Sequence, residues 1–149
     1  LMMATELVTA VQEGIKIVTV LVQNHGYASI GSLSESLGSQ RFGTRYRYRN
    51  PETGRLDGER LPVDLAANAA SLGVEVIKTT TGGEFAEAVK AAKSADHSIV
   101  IYVETDPLIG APDSESWWDV PVSEVSRLDS TQQARKTYEE YKATQKLFL

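Results

Sequence analysis

The sequence predicts an α/β fold of three layers, a mostly parallel sheet flanked by helices, and three observations carry that prediction. Residues 15–22, Ile-Lys-Ile-Val-Thr-Val-Leu-Val, are β-branched and nearly all apolar, which suits a strand buried on both faces. Two further runs of the same kind follow at 74–78 and 98–103. Helical patterns separate the runs, and alternation of strand, helix and strand implies right-handed parallel crossovers.

Each element has its own signals. Residues 2–11 read as a helix in which Leu7 and Val11 share a face with Met3 one turn earlier, and Gly14 supplies the stop. The chain opens at Leu1 instead of Met, with no cap or turn ahead of this helix, so the expectation is that it was cut from something larger. Pro62 suits a first helical turn, and residues 63–72 carry an alanine-rich face closed by Gly73. Thr81-Gly82-Gly83-Glu84 has capping-box spacing, and the helix it opens aligns Phe85, Ala88, Val89, Ala92 and Ala95 on one stripe. Residues 104–122 hold prolines, acidic residues and the pair Trp117-Trp118, as expected of an ordered surface segment. Asp129-Ser130-Thr131 then caps a last helix over about 130–146 that sets Ala134, Tyr138 and Tyr141 on one side.

Composition narrows the function classes. At 149 residues the chain is the size of one ordinary domain, and its 42% hydrophobic content is enough to build a core. A net charge of −5 argues against general nucleic-acid binding. The absence of cysteine excludes disulfides, zinc–thiolate sites and thiol catalysis. No apolar run approaches the roughly 20 residues that span a bilayer, and no signal peptide is visible, so a cytoplasmic location without membrane contact is expected.

In open parallel sheets ligands bind outside the carboxyl ends of the strands, which directs attention to residues 23–29, 79–83 and 104–106. The first exit is the most suggestive. Asn24 offers a neutral carbonyl oxygen, Gly26 permits close approach of bare backbone, and the amides that follow could face an anion. An oxygen-only ligand set suits a hard cation such as magnesium, shared with substrate or cofactor phosphates. Asn-His-Gly is also ordinary turn chemistry, and a lone loop histidine such as His25 is more often solvated than a base or ligand. His97 is assigned no role.

A second candidate is Arg41, Arg45, Arg47, Arg49, Arg55 and Arg60, interleaved with Phe42, Tyr46 and Tyr48. Such a segment could capture phosphate or stack on nucleic acid, but the acidic total charge favours a surface hairpin or subunit contact. Residues 46–49 alternate like a strand, and 50–54 form a good turn. The Trp pair suits packing or an interface. No Ser–His–Asp spacing, metal-binding His pair or Walker-type loop stands out.

Taken together, the helix at 6–15, the strand after it and Gln23-Asn24-His25-Gly26-Tyr27 resemble the diphosphate-binding domain of thiamine-diphosphate-dependent enzymes. In that superfamily a Gly-Asp-Gly begins the motif and a strand-terminal Asn ends it. Here the Gly-Asp-Gly would fall just before Leu1. Residues 28–44 (Ala-Ser-Ile-Gly through Gln-Arg-Phe-Gly-Thr), 61–69 and 117–122 are similar to a narrower family, the trihydroxycyclohexanedione hydrolases of myo-inositol breakdown.

The resemblance implies that residues 1–149 are a C-terminal thiamine-diphosphate-binding domain fragment lacking its first strand, with an irregular arginine-rich segment at about 31–60. It implies thiamine diphosphate and Mg2+ as cofactors. Asn24 would bind the metal through its side-chain oxygen and Gly26 through its backbone carbonyl, with the amides of Tyr27, Ala28 and Ser29 near the diphosphate. Gln23 stands where many relatives have a first Asn. The metal-binding aspartate and the cofactor-activating glutamate would lie outside this chain, so no catalytic residue is assigned within it. The implied activity is C–C cleavage of a cyclic trihydroxy-1,2-diketone to a deoxyglucuronate, in a homo-oligomer with the site between subunits, and this chain alone would be inactive. Two alternatives stand beside it. One is another thiamine-diphosphate lyase or synthase of the acetolactate-synthase type, and the other is a non-enzymatic anion- or RNA-binding module using residues 41–60.

Overall fold

The computed structural model describes residues 3–112 and 116–146. Along the chain run α1 (Glu6–Gln12), β1 (Val18–Gln23), α2 (Ala28–Ser36), α3 (Leu65–Ala70), β2 (Glu75–Thr79), α4 (Gly82–Ser94), β3 (Ile99–Glu104) and α5 (Asp129–Thr144). They fall into two compact units, Leu1–His25 with Leu61–Asp106, and Gly26–Arg60 with Pro107–Leu149.

The first unit carries the predicted α/β layers. Its three strands are parallel in the order β1-β3-β2, with Val20 and Ile77 both opposite Ile101 of the central strand. Ile99 to Tyr102 are all buried, as a central strand covered on both faces should be. One core joins Val100 and Tyr102 to Leu7, Leu21, Ala66, Ala69 and Val74, hence to α1 and α3. The other joins Ile99 and Ile101 to Ala88 and Ala92 of α4, with Phe85, Val89 and Ala95 packed against it, which is the stripe read from the sequence.

Strand β1 departs from the expectation of burial on both faces. Leu21 and Gln23 are buried, but Val18, Val20 and Val22 remain 43%, 47% and 49% exposed. The cause is positional. β1 is an edge strand, and α4 packs across β2 and β3, so its cover does not extend to the residues in register with Ile99 and Ile101.

Helix boundaries follow their caps. Gly14, at φ +62°, turns the chain out of α1 while its N–H reaches Val11 O at 3.3 Å and that of Ile15 reaches Ala10 O at 2.9 Å, the paired bonds of a glycine C-terminus. At the other end α1 starts later than predicted, because residues 3–5 form a turn. Pro62 does not open α3. Asp64 does, with an extended backbone and a carboxylate that accepts the Ala67 N–H at 2.8 Å. That bond, then the neighbouring Lys78, holds the Asp64 carboxyl below its ordinary pKa. At α4 the capping box is complete: Thr81 Oγ1 accepts the Glu84 N–H at 3.2 Å, and the Glu84 carboxylate accepts the Thr81 N–H at 3.2 Å.

The second unit holds α2 and α5. Helix α2 runs on to Ser36, inside the stretch of about 31–60 expected to be irregular, so irregular backbone begins only after it. Helix α5 starts after Leu128 with no side-chain cap, and the predicted capping residues serve otherwise. The Ser130 and Thr131 hydroxyls donate to the Gly38 carbonyl at 2.7 and 2.9 Å. Gly38 is required there, because a Cβ would collide with the Ser130 carbonyl. Trp117 packs on Tyr141 and Tyr138, with ring centroids 5.9 and 6.3 Å away, consistent with its reading as a packing residue. Among the described residues no helix is long and apolar enough to cross a membrane.

Candidate functional site

Strand β1 ends in a buried glutamine. Gln23 is 1% exposed, because it falls on the same inward face as Leu21. Its Oε1 accepts the His25 N–H at 3.0 Å, its Nε2 donates to Val63 O at 3.4 Å, and its main-chain carbonyl accepts the Thr105 N–H at 3.0 Å. Asn24, inside that loop of bonds, is half-buried, and its side chain makes no hydrogen bond among the described residues.

His25 adopts a left-handed backbone, φ +57°, which is uncommon for a residue with a Cβ. Its ring is not the solvated group expected: the side chain is only 17% exposed, and Nε2 lies 3.4 Å from Glu104 Oε2. The other Glu104 oxygen accepts the Tyr102 hydroxyl at 2.8 Å. Burial, then the bond to Glu104, pushes the Tyr102 hydroxyl up to about 12, so it stays a donor at neutral pH.

Gly26 pairs with Arg45 in an isolated antiparallel bridge, in which the Tyr27 N–H donates to Thr44 O at 2.7 Å. In that pattern the N–H and C=O of Gly26 itself point away from the partner segment. A Cβ on Gly26 would collide with the Thr44 carbonyl and stand 3.0 Å from Arg45 Cα, so close backbone approach requires glycine here. Tyr27 then sits as N-cap of α2 without a side-chain capping bond, and Ala28 and Ser29 supply uncapped first-turn amides. Of the three amides predicted to face an anion, that of Tyr27 is therefore spent on Thr44. Among the described residues no three His, Asp or Glu side chains converge as a metal cage. The predicted ligand oxygens, those of Asn24 and Gly26, are neutral.

Half of the arginines of the second candidate segment are tied to protein groups. Arg41 is buried, bonded through Nε to Glu35 at 2.6 Å and through a terminal nitrogen to Pro107 O at 3.2 Å. Arg47 donates to Gly58 O at 2.8 Å, and Arg49 donates to Gly54 O. Residues 46–49 form no strand. Tyr48 meets Gly58 and Glu59 through two backbone bonds, and Arg47 faces Arg60 in a single bridge. Two of the six cations, Arg47 and Arg49, thus pin a surface hairpin.

Sequence reasoning missed the hold of Gln23 on the turn and the link from Tyr102 through Glu104 to His25. A signal for the first was present: a glutamine on the inward parity of a half-buried strand must find partners.

The profile of the family described as "Thiamine pyrophosphate enzyme, C-terminal TPP binding domain" matches residues 1–103. Among curated proteins, the chain is 41% identical over 133 residues to "3D-(3,5/4)-trihydroxycyclohexane-1,2-dione hydrolase 2" of Bacillus cereus. It is likewise 41% identical to a hydrolase of the same description from Bacillus anthracis, and 39% identical to one from Bacillus thuringiensis. Each alignment covers 89% of this chain and 21% of the relative, so the chain spans about a fifth of the length of the proteins it matches. With the profile covering more than two thirds of the residues, and a parallel α/β sheet whose first strand exits into Asn24 and Gly26, the chain belongs to the C-terminal, cofactor-binding domain family of the thiamine pyrophosphate enzymes.

Proposed function

We propose that this chain is the diphosphate-binding part of a larger hydrolase that opens a cyclic trihydroxy-1,2-dione in inositol breakdown. In this reading Asn24 and Gly26 contribute two oxygens to a magnesium ion that anchors thiamine diphosphate. The observation that carries it lies at the β1 exit: the side chain of the half-buried Asn24 makes no hydrogen bond among the described residues, and the Gly26 carbonyl is turned away from residues 44–46. A diphosphate–metal pair fits this donor set. Neutral oxygens leave the charge of the cation to offset that of the diphosphate. By the resemblance, the first-turn amides of Ala28 and Ser29, which carry no side-chain cap, would lie near the diphosphate.

When bound, the cofactor supplies the electron sink for C–C cleavage. The chain's own part is to hold and orient: Asn24 and Gly26 fix the metal end, Gly26 lets the backbone come close, and the buried Gln23 keeps the turn in shape. The names of the relatives support the choice of a cyclic dione as substrate. A homo-oligomer in the cytoplasm is part of the same proposal.

The test has two arms. The whole protein that carries this chain, supplied with thiamine diphosphate and magnesium, should open the dione, and Asn24→Ala should cut that activity by about tenfold or more, with a raised magnesium requirement. The 149-residue chain by itself should bind thiamine diphosphate weakly in calorimetry, since the resemblance puts the remaining ligands elsewhere. An active protein indifferent to Asn24→Ala, or micromolar binding by this chain alone, would defeat the proposal.

A further inference from the structure

We infer that Gln23 is the positioning residue of the metal end of the site, an inference that rests on the magnesium reading above. Its side chain is 1% exposed, yet none of its polar atoms is left buried without a partner. What distinguishes it is where those partners lie. The Oε1 acceptor reaches forward two residues to the His25 N–H, closing a small ring around Asn24. The Nε2 donor reaches Val63, ahead of α3, and the main-chain carbonyl takes the Thr105 N–H beyond β3. The peptide units on both sides of Asn24 are thereby tied to the body of the first unit, while the Asn24 side chain is left untied.

That division of labour is what a weakly coordinating neutral ligand needs. A free asparagine side chain loses rotamer entropy on binding a metal, and a fixed backbone on both sides reduces the cost. The left-handed φ of +57° at His25 also needs an external restraint, and the Gln23 Oε1 contact supplies one at the His25 amide itself. A hydrophobic residue of similar shape would fill the same volume and release the turn. Gln23 touches neither cofactor nor substrate in this scheme and acts only through Asn24.

The experiment uses the isotope-labelled 149-residue chain and reads the turn at residues 24–26 twice by NMR. Without metal, three-bond HN–Hα couplings report the φ angles of Asn24 and His25: one backbone conformation, with the positive φ of His25, is expected in the wild type, averaged couplings in Gln23→Met, and one conformation again in Gln23→Glu, which keeps the acceptor for His25. If Gln23→Met does not fold, Gln23→Asn withdraws the acceptor by one methylene and is read in its place. An averaged turn backbone in the wild type, or an ordered one in Gln23→Met, overturns the inference. With millimolar Mn2+ and inorganic diphosphate, paramagnetic broadening should centre on Asn24 and Gly26 and should need about tenfold more metal in Gln23→Met. A turn that is ordered in the wild type and disordered in the variant, with no broadening at Asn24 or Gly26 by millimolar Mn2+ and diphosphate, overturns the magnesium reading while the hold of Gln23 on the turn stands.

Discussion

Asn24 and Gly26 are two residues apart, and replacing each with alanine should give opposite signatures. Asn24 has no side-chain partner among the described residues, so Asn24→Ala should leave the urea midpoint close to wild type, within about 0.5 kcal/mol. Gly26→Ala drives a methyl into the Thr44 carbonyl and toward Arg45 Cα, and backbone must move to admit it. A loss of about 1–3 kcal/mol is expected in the same titration. If the two variants were equally stable, the closeness of segment 44–45 to Gly26 would be wrong. The turn at Asn24 and Gly26 was legible as a polar, glycine-containing strand exit, although the same residues are ordinary turn formers. Gln23 was not, since its importance lies in partners at positions 25 and 63 that no local pattern reveals.

Among the elements, α4 was the most legible and α2 the least, and the reason is local consistency. α4 has a reciprocal cap, alanines and lysines of high helix propensity, and an apolar stripe that meets Ile99 and Ile101. Its cap is testable: Thr81→Ala removes the acceptor for the Glu84 N–H and should cost about 1 kcal/mol in chemical denaturation, with the sheet otherwise intact. A cost near zero would mean that the reciprocal Glu84 bonds to Thr80 and Thr81 carry the start alone. α2 contains four serines and a glycine within nine residues, and begins at a tyrosine that caps nothing. Its sequence opposes the helix, so tertiary context decides. Gly31 supplies part of that context, for a Cβ there would press to 2.6 Å from Thr44 Oγ1.

At the scale of the whole molecule, the layered sheet was readable from three apolar runs, but the uneven cover of β1 was not, because it depends on which strands α4 crosses. The same sheet has a pH-sensitive tie at the end remote from Asn24. His97, just before β3, bonds Asp96 through Nδ1 at 3.0 Å and Glu75, the first residue of β2, through Nε2 at 2.7 Å. Asp96, then Glu75, raises the His97 pKa above its ordinary 6.5, while His97 lowers Asp96 below 3.8. A raised folded-state pKa means the folded chain holds the proton more tightly than the unfolded one. The stability His97 contributes is therefore fully present below 6.5 and is lost as pH climbs through the raised value. Asp96 gives the mirror image, present above 3.8 and lost as pH falls through its lowered value. All three groups are solvent-exposed, so the effect is small and salt-sensitive. Urea midpoints of wild type and His97→Gln, compared from about pH 5 to pH 9, should differ most at the acidic end and converge as the imidazolium deprotonates. Added salt should shrink the difference at pH 5. A difference that stayed constant across the range, or widened toward alkaline pH, would mean that His97 stabilises the strand ends by packing and not by charge.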